Sequence, residues 1–418
     1  MSKEERKVPE LRFKDFHDDW EQRKLKMVFK NFIVPMRDKP KIFSGDIPWT
    51  RIEDIQGRYL HGSTSGRYVS EDTVKSMNLK VIPKDSIIVS VSATFGVVAI
   101  VSNDLITNQT FIGLTPKPNY NIDFLYSFFK SSITRKKMRN ESAGSTIFYI
   151  TRKNIENMIG NFPSNEEQDK IGKFLKSLDT IIALHQRKIN MLETLKKVYL
   201  SIIFPDRCET NPKMRFKNFN ENWKEYKFFE NINKIIDFRG RTPKKLEMKW
   251  SDKGYLALSA LNVKNGFIDK NVDAKYGSEE LYQRWMGGNY LKKGMVLFTT
   301  EAPMGNVALV PDNNGYILSQ RTIAFDADKK MMTNLFLATI LRTPLVINNL
   351  ISISSGATAK GVSQKSLRAL NLIVPTNLKE QERIGEFLTN IYDDIQIHQK
   401  QVNILNKLKS LYLHKMFL

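Results

Sequence analysis

Arginine and lysine are the side chains of this sequence best placed to do chemistry, and that chemistry is recognition of a polyanion. In the first half Arg37, Lys39, Arg51, Arg58, Arg67, Lys136, Arg139 and Arg152 stand among turn residues. In the second half Arg239, Arg241, Thr242, Lys244, Arg284, Arg321, Lys360 and Lys365 do the same. Lysine neutralises phosphates without reading sequence, whereas arginine on a loop makes bidentate contacts to base edges. A lone surface charge is ordinarily just solvated, so the collective excess carries the argument. Lysine plus arginine number 65 against 44 aspartates and glutamates, a formal net charge of +21. That balance favours nucleic acid first and an anionic membrane surface second.

Two short patterns suggest catalysis and fail on context. Pro205-Asp206 followed by Glu225-Tyr226-Lys227 fits the loose Pro-Asp…Glu-x-Lys arrangement in which carboxylates hold a divalent ion for phosphodiester cleavage. It falls across a linker rather than on paired strands. Asn211-Pro212 begins the Asn-Pro-Pro-aromatic motif that grips a flipped adenine, but continues Lys213-Met214. No Gly-x-Gly-x-x-Gly cofactor loop and no Gly-x-x-x-x-Gly-Lys-Ser/Thr phosphate loop occurs. One cysteine, Cys208, and five histidines offer no zinc set. No catalytic residue, bound cofactor or metal is therefore expected on this chain. Gly144-Ser145-Thr146 and Gly356-Ala357-Thr358 recur at equivalent places and suit either a phosphate cradle or a plain turn. Thr151 and Ser363 read as N-caps of short helices.

The elements that must position these residues are written twice. Arg12-Phe13-Lys14-Asp15-Phe16 with Trp20 returns as Arg215-Phe216-Lys217-Asn218-Phe219 with Trp223, and the stretch 168–204 shares 15 of 37 residues with 381–417. A period that long means two tandem domains. In each copy β-branched runs between turn signals predict short strands, for example Ile87-Ile88-Val89 and Val97 to Val101, and amphipathic stretches at Asp123 to Lys137 and Asn334 to Leu341 predict helices. The class expected is α+β. Domains are expected at 1–162 and 211–374, with a linker at 205–210 and long helices at 163–204 and 375–418.

Each long helix carries an apolar seam. Ile171, Leu175, Leu178, Ile182, His185, Ile189 and Leu192 step by 4 and 3, and Ile384, Leu388, Ile391, Ile395, His398, Val402 and Leu405 step identically. A 3.5-residue period predicts helices that pair and supercoil, with the histidines as polar register devices. The short linker puts the second domain at the far end of the first helix, so the second helix is expected to return antiparallel. The outcome is a pseudo-two-fold rod of roughly 55 Å with a head at each end. Tyr199, Phe204, Tyr412 and Phe417 are expected to form an exposed aromatic surface that docks partners. The longest uncharged stretch, Ser86 to Asn103, is too short to span a bilayer, and Met1 to Glu5 has no apolar core. A soluble cytoplasmic protein that does not enter membranes is expected.

Duplicated domains, each closed by Pro…Glu-Gln-x-x-Ile-Gly-x-Phe-Leu at Pro163 to Leu175 and Pro375 to Leu388, resemble the specificity subunit of type I restriction-modification enzymes. Arg239-Gly240-Arg241-Thr242-Pro243 is similar to the family's Gly-x-Thr-Pro turn, whereas Met36-Arg37-Asp38-Lys39-Pro40 keeps only the proline. The resemblance implies two target recognition domains that each read half of a split, asymmetric site in double-stranded DNA. It also implies that the paired helices set the spacer and dock two adenine methyltransferase subunits, which use S-adenosylmethionine. Motor-nuclease subunits that use ATP and Mg would join them. A head separation of roughly 55 Å equals about 16 base pairs at 3.4 Å each. The competing expectations are a basic coiled-coil adaptor for nucleic acid, RNA included, and a self-contained metal-dependent nuclease.

Overall fold

Uncharged β-branched runs have no face to offer water and form interior strands. Ile87–Ser90 and Val98–Val101 are such a pair, buried along their whole length and antiparallel, with Val89 opposite Val98. The structure, a computed structural model, describes residues 8–91, 96–142, 149–206, 209–354 and 361–418. The chain divides into two compact units, Met1–Arg187 with Gln399–Leu418, and Lys188–His398.

Among the described residues of the first unit, a five-stranded sheet runs in the order Phe29–Ile33, Phe111–Pro116, Ile87–Ser90, Val98–Val101, Tyr59–Leu60. Its last pair is parallel and the others antiparallel. A smaller sheet pairs Ile47–Thr50 with Tyr68–Val69 on one side and with Ile106–Thr107 on the other. The second unit repeats the plan. Its four-stranded sheet is Ile232–Asp237, Thr322–Ala327, Val296–Thr299, Val307–Leu309, and Tyr255–Leu258 lies between Tyr276–Gly277 and Ile317–Leu318. Each unit is thus α+β. The stretch from Asp123 to Lys137 is two helices, Ile122–Lys130 and Ser132–Asn140, rather than one. Ser131 between them is extended, and its hydroxyl accepts from the Thr134 N–H at 3.1 Å as the cap of the second. Thr151 and Ser363 cap Arg152–Asn157 and Gln364–Leu367 in the same way.

The two long helices are Asn165–Ile202 and Leu378–Lys415. Their shared entry motif is explained residue by residue. Glu167, fully buried, takes a bidentate pair of hydrogen bonds from Arg12 at 2.7 and 2.8 Å, and Glu380 takes the same pair from Arg215 at 2.6 and 2.8 Å. The hydrogen bond to each carboxylate holds the arginine pKa above its ordinary value. Gln168 donates to the Pro163 carbonyl and accepts from Asn121 N–H; Gln381 donates to Pro375 and accepts from Thr333. The glycine lets the head approach: a Cβ on Gly172 would lie 2.6 Å from Asn121 Oδ1, and one on Gly385 would lie 2.8 Å from Leu335 Cγ. Ile171, Leu175, Ile384 and Leu388 are buried.

Within each unit a segment of one long helix lies against a segment of the other, running the opposite way. In the first unit Phe174 meets Tyr412 and Asp179 pairs with Lys409. In the second, Phe387 meets Tyr199 and the Lys196 ammonium sits 5.0 Å from the Tyr392 ring centre. Of the seam residues, Leu178, Ile189, Leu192, Ile391 and Ile395 are also buried, whereas Ile182, His185, His398, Val402 and Leu405 are half-buried.

One expectation is corrected here. Phe204 and Phe417, read from the sequence as exposed docking residues, are only 6% and 3% exposed. Each follows the end of a long helix and is drawn into the aromatic core of its own unit. Phe417 packs on Trp20 and Phe124, and Phe204 packs on Trp223 and Phe336. Tyr199 and Tyr412 are half-buried by their phenylalanine partners. Core aromatics and surface aromatics look alike in a sequence because both recur with the repeat.

Candidate nucleic-acid interface

The strand pair Ile47–Thr50 and Tyr68–Val69 builds the basic surface of the first head. Its ladder continues one step, with Trp49 N–H donating to the Arg67 carbonyl at 2.9 Å. Trp49 meets Phe43 edge-on at 5.7 Å. Three cations gather on these rings: Arg51 lies 5.4 Å from the Trp49 centre, and Arg67 and Lys39 lie 5.6 and 5.9 Å from that of Phe43. Buried Asp54 fixes the turn by accepting from the N–H groups of Arg51 and Thr64, each at 2.7 Å. Trp49 is buried, 5% exposed, and Phe43 half-buried, so the rings brace the cations from behind, and the cations are what the patch offers to a polyanion.

The second head uses the same strands to different effect. Tyr255–Leu258 stands where Ile47–Thr50 stands, and Ala257 pairs with Ile317 as Trp49 pairs with Ile106. Alanine in place of tryptophan, with Ser259 in place of Arg51, leaves a cavity of about 290 Å³ lined by Arg241, Thr242, Trp250, Trp285, Lys275, Gln320 and Arg321. The Arg241 guanidinium donates to the Trp285 carbonyl and lies 4.4 Å from the Phe238 ring centre, and Gln320 donates to the Arg241 carbonyl at 2.6 Å. Thr242 caps the turn Pro243–Leu246 through its hydroxyl. Among the described residues no group of His, Cys, Asp and Glu is placed to hold a metal ion. No single helix there is long and apolar enough to cross a membrane.

The structure thus brings together Lys39, Arg51 and Arg67 in one head and Arg241, Thr242 and Arg321 in the other. Lys244 is exposed in the turn that Thr242 caps, and Arg37, Lys136, Arg139 and Lys365 are exposed on their heads. Arg152 pairs with Glu156, Arg284 with Glu280, and Arg239 with Asp237. Lys360 and the glycine loops at Gly144 and Gly356 lie outside the described residues. Arg58 is a correction. Expected on the surface, it is 6% exposed, over the Tyr126 ring at 4.2 Å, and bound to Asp123 at 3.0 Å and Asp179 at 2.6 Å. It precedes the edge strand Tyr59–Leu60, which aims it at the helix rather than at solvent. Burial and the neighbouring Asp179 push the Tyr126 hydroxyl pKa upward.

Phe43, Trp250, Trp285, Lys275 and Gln320 join the surfaces without having been singled out in the sequence. A usable signal was present: Asn108-Gln109-Thr110 and Ser319-Gln320-Arg321 follow equivalent strands.

The family model for the type I restriction modification DNA specificity domain matches residues 17–194 and again 220–408. The MjaVIII type I restriction enzyme specificity subunit of Methanocaldococcus jannaschii is 22% identical over 418 residues, covering 96% of this chain and 93% of that one. The MjaIX specificity subunit of the same organism is 30% identical over 187 residues, 44% of this chain and 43% of the relative; that match spans less than half the relative's length. The crystal structure of a type I restriction-modification S subunit from M. genitalium superposes with a TM-score of 0.66 at 14% identity, covering 98% of this chain and 99% of that one. That likeness is one of fold.

Proposed function

This chain belongs to the type I restriction-modification DNA specificity family, and from that premise we propose that it selects the DNA site for a restriction-modification complex in which partner subunits perform the catalysis. Each head reads one half of a bipartite, asymmetric site. The observation that carries this reading is the difference between equivalent positions. In one head Arg51 and Arg67 lie over the buried Trp49 and the half-buried Phe43, and in the other Ala257, Ser259 and Lys275 border a cavity. Two heads that shared one readout would keep the same side chains there; these differ in size, charge and hydrogen-bonding pattern, so they favour different bases.

The paired helices set the spacer between the half-sites and dock two methyltransferase subunits. What supports docking is a row of exposed apolar residues displaced from the seam and present in both copies. In the first unit these are Leu184, Ile404, Leu408 and Leu411, and their equivalents in the second are Ile397, Met191, Leu195 and Val198. Exposed apolar side chains repeated at fixed spacing on a helix call for a partner. S-adenosylmethionine, ATP and Mg belong to the partners in this reading, which also has motor-nuclease subunits join the complex in the cytoplasm. The test is adenine-methylation mapping of genomic DNA in a host carrying this chain with its methyltransferase and in one lacking only this chain. A split motif present in the first and absent in the second supports the reading; identical methylation in both refutes it.

A further inference from the structure

Building on that reading, we infer that the cavity of the second head is a pocket for a single nucleobase drawn out of the DNA helix at its half-site. The cavity, about 290 Å³, sits at the small end of ligand pockets, which run from about 300 to 1,000 Å³. Its walls have the three surfaces that an unstacked nucleotide needs. The first is aromatic: Trp250, half-exposed, leans on Trp285 at 5.7 Å and 38°. Trp285 is buried and fixed by its own N–H donating to the Leu318 carbonyl at 2.9 Å. Stacking between rings is how extruded bases are held.

The second surface is a polar edge. Gln320 donates one amide N–H to the Arg241 carbonyl, the Arg241 guanidinium donates to the Trp285 carbonyl, and both side chains line the cavity. An amide and a guanidinium on one lining offer donors and an acceptor to the edge of a base. The third surface is cationic. Lys275 and Arg321 border the mouth, Lys275 with Asp273 at 3.5 Å and Arg321 with Glu301 at 2.5 Å, so each can exchange a surface carboxylate for a phosphate.

In the first head Trp49 stands where Ala257 stands and Arg51 where Ser259 stands, so larger side chains take the corresponding place. The same strand register therefore carries larger side chains in one head and an open pocket in the other. The half-site read by the second head is the one whose duplex is locally opened.

The experiment uses the full complex with its methyltransferase and a duplex carrying the mapped site. Aminopurine, an adenine analogue whose fluorescence rises on unstacking, replaces each position of the second half-site in turn on both strands. The expected result is a several-fold rise on binding at one position other than the methylated adenine. The rise is lost in Trp250→Ala and in Ala257→Trp, which plugs the pocket with the residue the first head carries. Ala257 is buried, so Trp250→Ala, with an unchanged melting temperature, is the decisive variant. No responsive position outside the methylated adenine, or an equal rise in Trp250→Ala, overturns the pocket. Methylation of the split motif by the unaltered complex stands whichever way the fluorescence falls, so failure of the pocket is separate from failure of the specificity reading.

Discussion

The rings of Phe174 and Tyr412 meet edge-on at 4.9 Å and 86°, and their repeat equivalents Phe387 and Tyr199 meet at the same distance and the same angle. Each pair joins the start of one long helix to the end of the other within one unit. The motif Ile-Gly-x-Phe-Leu and the late tyrosine, far apart in sequence, are thus two sides of one contact made twice. A double-mutant cycle on Phe174→Ala and Tyr412→Ala is expected to give a coupling of about 1 kcal/mol, the size of an aromatic pair beyond its burial. Chemical denaturation of the four proteins checks it.

Arg58 separates structure from recognition. Removing it as Arg58→Met breaks a buried ion pair, but Asp123 keeps Lys176 at 3.0 Å and Asp179 keeps Lys409. The loss is therefore expected near the lower end for buried pairs, about 3 kcal/mol. At temperatures where the variant is folded, its DNA affinity is expected to match that of the unaltered chain. A weakened affinity with unchanged stability would place Arg58 on the DNA after all.

The exposed apolar row predicts a partner defect without a folding defect. Leu195→Asp in one unit and Leu408→Asp in the other replace side chains 43% and 38% exposed. Each is expected to change stability by less than about 0.5 kcal/mol and to weaken methyltransferase binding by about 2 kcal/mol, roughly thirtyfold. Calorimetric titration with the methyltransferase checks both sites, and the double variant tests for two equivalents bound.

Lys39 offers a charge that lysine delivers to phosphate rather than to a base. Lys39→Ala is expected to lower the slope of log affinity against log salt by about 0.9, with the preferred sequence unchanged. Titrations at several salt concentrations read this directly.

The helices were the legible part of the fold because their information is local. A 3.5-residue spacing and its recurrence in a second copy need no knowledge of what lies opposite. Glu167 and Arg12 also recur with the repeat, but their bond spans 155 residues and emerges only once the helix entry has docked on the head. Charge was a poor guide to exposure. Arg58 and Arg51 differ little in sequence setting, yet one follows a turn into the helix contact and the other turns outward over Trp49. Trp49 and Ala257 look unrelated until strand pairing with Ile106 and Ile317 puts them in the same place. Side-chain destinations of that kind depend on register, which a strand of four residues flanked by turns does not declare.

Exchange of one recognition surface tests the central claim most directly. Lys39, Arg51 and Arg67 are changed to alanine together in one protein, and the first head is replaced by that of another specificity subunit in a second. Genomic adenine methylation is then mapped for each. The expected result is relaxed sequence in one half of the motif for the first protein and a new sequence in that same half for the second. In both, the other half and the spacer stay as they were. Changes in both halves at once, or an unaltered motif after the head exchange, would contradict the account in which each head reads its own half-site.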